Sequence, residues 1–295
     1  MLNIFAKCTT SRLNQVNNLT EYNLLSLPLC SPVKNRVDSI LKAHCLEKSI
    51  TGFNTLDLTQ LHIKKNLTFP LPTNLRLGHL AEKVVSTCIK ASNNYTVLFE
   101  NLQLIDGNRT IGELDFIIQN LETKEVIHLE MAYKFYLYDP SISNNVTHKW
   151  IGPNRNDSLS KKLEKLKNKQ FPLLQHPLAK ALMPNINTKD VVQSLCLLAS
   201  LYVPYNFKHT FNPDYSRAIK GHYLDFETFK KIHHNKNAYH APTRKKWGMD
   251  PKHNSNWVNL EGVLEYISTS LQEKQAPLIW QKQDHQYSSF FVVWW

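Results

Sequence analysis

Cysteine is scarce. The chain has five in 295 residues, Cys8, Cys30, Cys45, Cys88 and Cys196, an odd number with no CxxC among them. That spacing points to neither a zinc ribbon nor a disulfide framework, and the thiols read as small buried hydrophobes in a reducing compartment. Long apolar runs are missing too. The longest, Leu195 to Val203, is broken by Ser200 and is too short to span a bilayer. The opening residues MLNIFAKCTTSR lack the apolar core of a signal peptide, so the expected location is cytoplasmic, with no membrane partner. His233, His234, His240 and His253 have no zinc-ligand spacing. Acidic residues are also in deficit: 24 Asp and Glu against 35 Lys and Arg give a net charge of +11, with a pI near 9.3. A basic balance of this size favours a polyanionic partner, nucleic acid before a membrane surface.

The stretch that organises the rest is Thr110 to Phe135, TIGELDFIIQNLETKEVIHLEMAYKF. Its period of two predicts a pair of strands joined by a polar turn at Asn120–Lys124. Glu113, Asp115 and Ile117 share one face of the first strand, and Leu114, Phe116 and Ile118 the other. In the second strand His128, Glu130, Ala132 and Lys134 alternate with Ile127, Leu129, Met131, Tyr133 and Phe135. One face of the hairpin is apolar and belongs on a core. The other carries three acids on neighbouring strands, which repel one another unless a cation or a lysine lies between them. Two acids on adjacent strands with a lysine nearby is a donor set for a divalent metal that hydrolyses phosphodiesters. A solvated face of mixed charge is the competing reading.

IGELDF followed by HLEMAYKFYL resembles an uncharacterised bacterial domain-of-unknown-function family placed in the PD-(D/E)XK, or restriction-endonuclease-like, nuclease superfamily. The likeness extends to GPNRNDSLSKKLEKL at Gly152–Leu166 and, more faintly, to the leucine-rich helix at Leu77–Val85. The resemblance implies Mg²⁺ or Mn²⁺ on Asp115 and Glu130, with Glu82 and Glu113 as further or alternate metal ligands, and Lys134 as the lysine that assists the water or phosphate. In the superfamily pattern that lysine stands two residues after the second acid, but here Ala132 holds that place and Lys134 lies one pleat farther on. Strand residues two apart are separated by roughly 6–7 Å and four apart by roughly 13 Å. Lys134 therefore has to fold back, or a bulge has to shorten its path.

Before the hairpin, residues 1–72 read as a helical cap. Leu13, Val16, Leu19 and Leu24 follow a helical stripe, and Ser31-Pro32 starts a helix that buries Val33, Val37, Ile40 and Leu41. The chain leaves this cap through Pro70 and Pro72. A helix over 73–91 with an apolar stripe at Leu77, Leu80, Ala81, Val84, Val85 and Cys88 leads into a strand at Tyr95–Ile105. After the hairpin, Asp157 or Ser158 caps a helix whose buried row is Leu159, Leu163 and Leu166. Arg155, Lys161, Lys162 and Lys165 around it are candidate phosphate contacts, because a capped helix start favours an anion. A short helix at 176–182 and a buried strand at 190–202 follow.

Beyond Pro204 basic residues, Arg244, Lys245 and Lys246 among them, are interleaved with aromatics such as Tyr215, Tyr223, Phe229, Tyr239 and Trp247. Such rings either stack on nucleic acid or pack inward in an appendage. A helix at 257–271 and a terminal strand at 290–295 close the chain. The expected architecture is α/β: a restriction-endonuclease-like core (α-β-β-β-α-β, mixed central sheet) over 73–205, the helical cap over 1–72, and a basic, aromatic-rich extension over 206–295. The expected activity is divalent-metal-dependent nuclease chemistry, on DNA before RNA, with a homodimer left open. The alternatives are a nucleic-acid-binding protein that has kept the fold and lost the chemistry, and an interaction protein that docks through the acidic face.

Overall fold

A computed structural model describes residues 31–63, 75–232 and 236–295. The expected stripe at Leu13–Leu24, the side chain of Val33, Pro70 and Pro72, and His233 and His234 lie outside those residues. The fold is mixed α/β. It has a large mixed sheet of eleven strands among the described residues, with helices packed on it.

Helix α1 (Ser31–Leu41) is followed by β1 (His44–Cys45), the single turn α2 (Lys48–Thr51) and β2 (Asn54–Thr55). Helix α3 (Leu77–Ala91) comes next. It buries Leu80, Ala81, Val84, Val85, Cys88 and Ile89, the stripe its i, i+3, i+4 spacing dictates. Strands β3 (Tyr95–Asp106), β4 (Arg109–Asn120) and β5 (Val126–Tyr138) form an antiparallel meander. The two-residue strand β6 (Trp150–Ile151) pairs with the end of β5, and α4 (Leu159–Lys165) then begins at Ser158, whose hydroxyl accepts the amide of Lys161. A π-helical turn over Leu166–Gln170, a 3-10 turn over Phe171–Gln175 and α5 (Pro177–Leu182) bring the chain across to β7 (Val192–Pro204). β7 runs parallel to β5 along eleven paired positions, from Ile127–Val192 to Leu137–Tyr202. A helical crossover is what a parallel pair requires.

The far edge of β7 is shared in sequence by β2, β1 and β8 (Ile219–Asp225), the last entered from α6 (Pro213–Ala218). β11 (Gln286–Val293) lies parallel to β8, and β10 (Leu278–Gln283) and β9 (Ala238–His240) complete that side. Helices α7 (Phe226–Ile232) and α8 (Leu260–Gln272) cover these strands. The segments before 73 and after 205 thus both extend the central sheet. Tyr215, Tyr223, Phe229, Tyr239 and Trp247 are buried: of the two roles open to these rings, they pack inward. Cys45, Cys88 and Cys196 are free and buried, and among the described residues no helix is long and apolar enough to cross a membrane.

The competing reading of a solvated acid-bearing face does not hold at its centre: the turns after α4 cover it, with Phe171 edge-on to His128 at 5.4 Å, so His128 and Glu130 are buried. Strict alternation also breaks in β4, where Leu114 packs with Ile117, while Phe116 and Ile118 join the opposite core. The break lies where β4 leaves its partner. The β4–β5 ladder ends at Phe116–Leu129, and Asn101 of β3, facing Asp115, takes a positive φ of 52°.

Candidate metal centre

Asp115 and Glu130 directly follow the last paired residues of the β4–β5 ladder, Phe116 and Leu129, and the charge of Glu130 acts on Asp115 where β4 and β5 part. The parting strands leave the Met131 amide without a strand partner. Asp115 supplies one, its Oδ2 accepting that N–H at 2.9 Å, while Oδ1 has no hydrogen bond among the described residues. Glu130 is only 1% exposed and is held from two sides. His128 Nε2 lies 2.9 Å from its Oε1, and Gln170 Nε2 donates to Oε2 at 3.2 Å. Gln170 closes the π-helical turn, so the wider turn is what points its amide at the carboxylate. The buried Nδ1 of His128 has no partner among the described residues.

Holding two carboxylates together in a half-dry cleft is electrostatically costly, and Asp115 registers it. Burial first, then the charge of Glu130, push its pKa up to about 7, against the pull of the Met131 amide. Glu82 of α3 is raised in the same direction, again by burial first, with Glu113 adding to it. Glu113 itself accepts Gln103 Nε2 at 3.2 Å. Glu130 and Glu82 both act on Asp115, and Glu113 acts on Glu82. Among the described residues no set of three Asp, Glu, His or Cys converges as a metal cage.

The lysine near these acids is not the expected one. Lys134 donates to Asp157 Oδ2 at 2.9 Å. Asp157 reaches it from the loop closed by Gly152, where a Cβ would collide with the Asp157 carboxylate. Lys162 of α4 takes the place beside the carboxylates: burial lowers its pKa, and Glu130 and Asp115 are the charges that hold it up. The signal was readable, because Leu159, Lys162, Leu163 and Leu166 follow the i, i+3, i+4, i+7 stripe that turns inward. Lys161 and Lys165 are exposed on the outer faces of the same helix.

The remaining basic candidates do not gather here. Arg155 is engaged with Asp139 at 3.1 Å and lies over the Trp295 ring at 4.6 Å. Arg244, Lys245 and Lys246 form an exposed turn anchored by Trp247, which packs against Phe135 and Phe291 on the opposite face of the sheet from Lys134. The donor chemistry fits a hard divalent cation: oxygens of two carboxylates, one with an uncommitted atom, are what Mg²⁺ takes when waters or substrate phosphates complete its shell.

No curated protein and no solved structure matches the chain. A family model does match, over residues 22–290, so that one match runs through the N-terminal segment, the hairpin and the C-terminal strands. The chain belongs to the DUF1853 family, a domain of unknown function.

Proposed function

We propose that this protein is a divalent-metal-dependent nuclease of the PD-(D/E)XK type that hydrolyses phosphodiester bonds, in DNA before RNA. The observation that carries the reading is that Asp115 and Glu130, just past the last pair of the β4–β5 ladder, act electrostatically on each other's surroundings together with Lys162. The succession α3, β3, β4, β5, α4, β7, with β5 parallel to β7, supports a restriction-endonuclease-like core around it. Asp115 and Glu130 would hold Mg²⁺ or Mn²⁺, with Glu82 and Glu113 acting on its waters. When bound, such an ion supplies Lewis acidity and a water of lowered pKa. His128 and Gln170 fix the Glu130 carboxylate. Lys162, rather than Lys134, would meet the phosphate charge, and the exposed Lys161 and Lys165 of the same helix would be further contacts for the backbone phosphates.

One observation favours the second reading, a nucleic-acid-binding protein without catalysis. The Lys162 ammonium already supplies positive charge that acts on both acids, the role a cation would otherwise have.

A calorimetric Mn²⁺ titration of the wild type beside Asp115→Asn and Glu130→Gln, with and without a short DNA duplex, separates the two. Specific binding lost in both variants is the expected result. A folded wild type that binds no Mn²⁺ even with DNA present would overturn the nuclease reading. DNA affinity that still falls with salt would then leave the binding protein standing.

A further inference from the structure

The opposite face of the sheet carries a second polar feature, independent of the carboxylate site. A cleft of about 370 Å³ lies between α1, the ends of β8, β10 and β11, and the 248–253 loop, with Tyr133, Ser200 and Tyr202 of β5 and β7 as its floor. Most of the polar groups around it are already matched within the protein. Tyr133 bonds with Ser200, Tyr202 with Ser289, Ser39 donates to the Arg36 carbonyl, and Asp250 pairs with Lys252.

Three groups are left over among the described residues. The Oδ1 atom of Asp38 is buried and has no hydrogen-bond partner, which is costly for a carboxylate oxygen unless something arrives to donate to it. Lys42, one helical turn from Asp38, does not pair with it or with any other acid, and Lys220 across the cleft is likewise without a counter-ion. Lys220 has an exposed side chain at the rim, yet enough protein surrounds it for burial to lower its pKa. Two unpaired ammonium groups flanking a cleft form an anion site, and a lone carboxylate oxygen within the same walls calls for an N–H or O–H. Trp280 and Tyr287 add flat apolar surface to the lining.

We propose that this cleft binds a phosphorylated small molecule of nucleotide size, its phosphate on Lys42 and Lys220 and a hydroxyl or amino group donating to Asp38. Nucleoside monophosphates are the probe, since they carry all three features in one body of the right volume. The proposal does not depend on the nuclease reading.

The test is calorimetry and thermal unfolding of the full chain with the four ribonucleoside 5′-monophosphates, adenosine and inorganic phosphate. At least one monophosphate should bind saturably and raise the unfolding temperature, with adenosine and phosphate each weaker. Lys220→Met should weaken monophosphate binding about tenfold or more and leave adenosine binding unchanged, whereas Asp38→Ala should weaken both. Lys42→Met, at an exposed position just after α1, repeats the anion test if Lys220→Met fails to fold. Asp115→Asn should retain the binding in full, which places it outside the carboxylate site. Absence of saturable binding by any monophosphate, or binding indifferent to both lysine variants, overturns the proposal.

Discussion

The two faces of β5 are equally dry at their centre but are built on different terms. On one, Ile127, Leu129, Met131, Tyr133, Phe135 and Leu137 pack into the core beneath α3, where contacts are numerous and undirected. On the other, His128, Glu130 and Lys134 each rest on one or two specific partners: the His128–Glu130 pair, Gln170, and Asp157. Leu129 and Glu130 are adjacent, 0% and 1% exposed. An apolar residue of similar volume at 130 would be at least as stabilising, because a buried charge with its donors does no more than offset its own desolvation. Stability therefore explains the first face and not the second. A costly group that packing does not demand is the physical mark of a site.

The largest effect tests the first face. Leu129→Ala should cost about 2–5 kcal/mol in chemical denaturation, since the side chain is fully enclosed and the space it leaves cannot collapse around sheet backbone. A loss below about 1 kcal/mol would break the comparison, because it would mean that the apolar face is loosely packed too.

How much of this was legible in the sequence divides along the same line. The α3 stripe, the hairpin with its turn, and the Ser158 cap were readable because each depends on neighbours three or four residues away or on strict alternation. The placing of Asp115 and Glu130 on adjacent strands was readable for the same reason. What escaped depends on chain that is distant in sequence. Glu130 is buried because Phe171 and Gln170, forty residues on, close over it, and no local pattern announces that. Leu114 changes sides because β4 leaves β5. Lys162 is legible as an inward position of the α4 stripe, but its closeness to Asp115 and Glu130 depends on how α4 docks on the sheet, which no local pattern announces. Among the later strands, β8 and β9 are short, and β8 carries Gly221 where the Ser289 carbonyl passes too close for a Cβ.

An intermediate effect, of opposite sign, tests the second face. Asp115→Asn should stabilise the protein at pH 8 by about 1–2 kcal/mol, once the raised pKa is discounted for the water that reaches the carboxyl. The native pKa, about 7, lies above the ordinary 3.8. Between those values the native state holds a proton that the unfolded state has released. Stability conferred by that proton is complete below about pH 4 and is lost as pH rises through 7. The variant should remove this slope, so its advantage should vanish near pH 4. Urea denaturation at several pH values would show it, and a variant less stable than wild type at pH 8 would mean that the Met131 bond outweighs the repulsion.

The smallest effect separates the two lysines. Lys134 and Asp157 are 36% and 45% exposed at the side chain, so their bond at 2.9 Å forms in water-rich surroundings. Lys134→Met should cost less than about 1 kcal/mol, and less again in high salt. Lys162→Met, at a half-buried position, removes a lysine charge that acts on Asp115, so the fall in stability with rising pH should extend to higher pH. Denaturation of both variants at pH 6 and pH 8 makes the distinction. If Lys134→Met, and not Lys162→Met, moved the pH profile, the strand lysine would be the one coupled to the acids. The polar face of β5 would then work as a single strand-borne unit, with no contribution from α4.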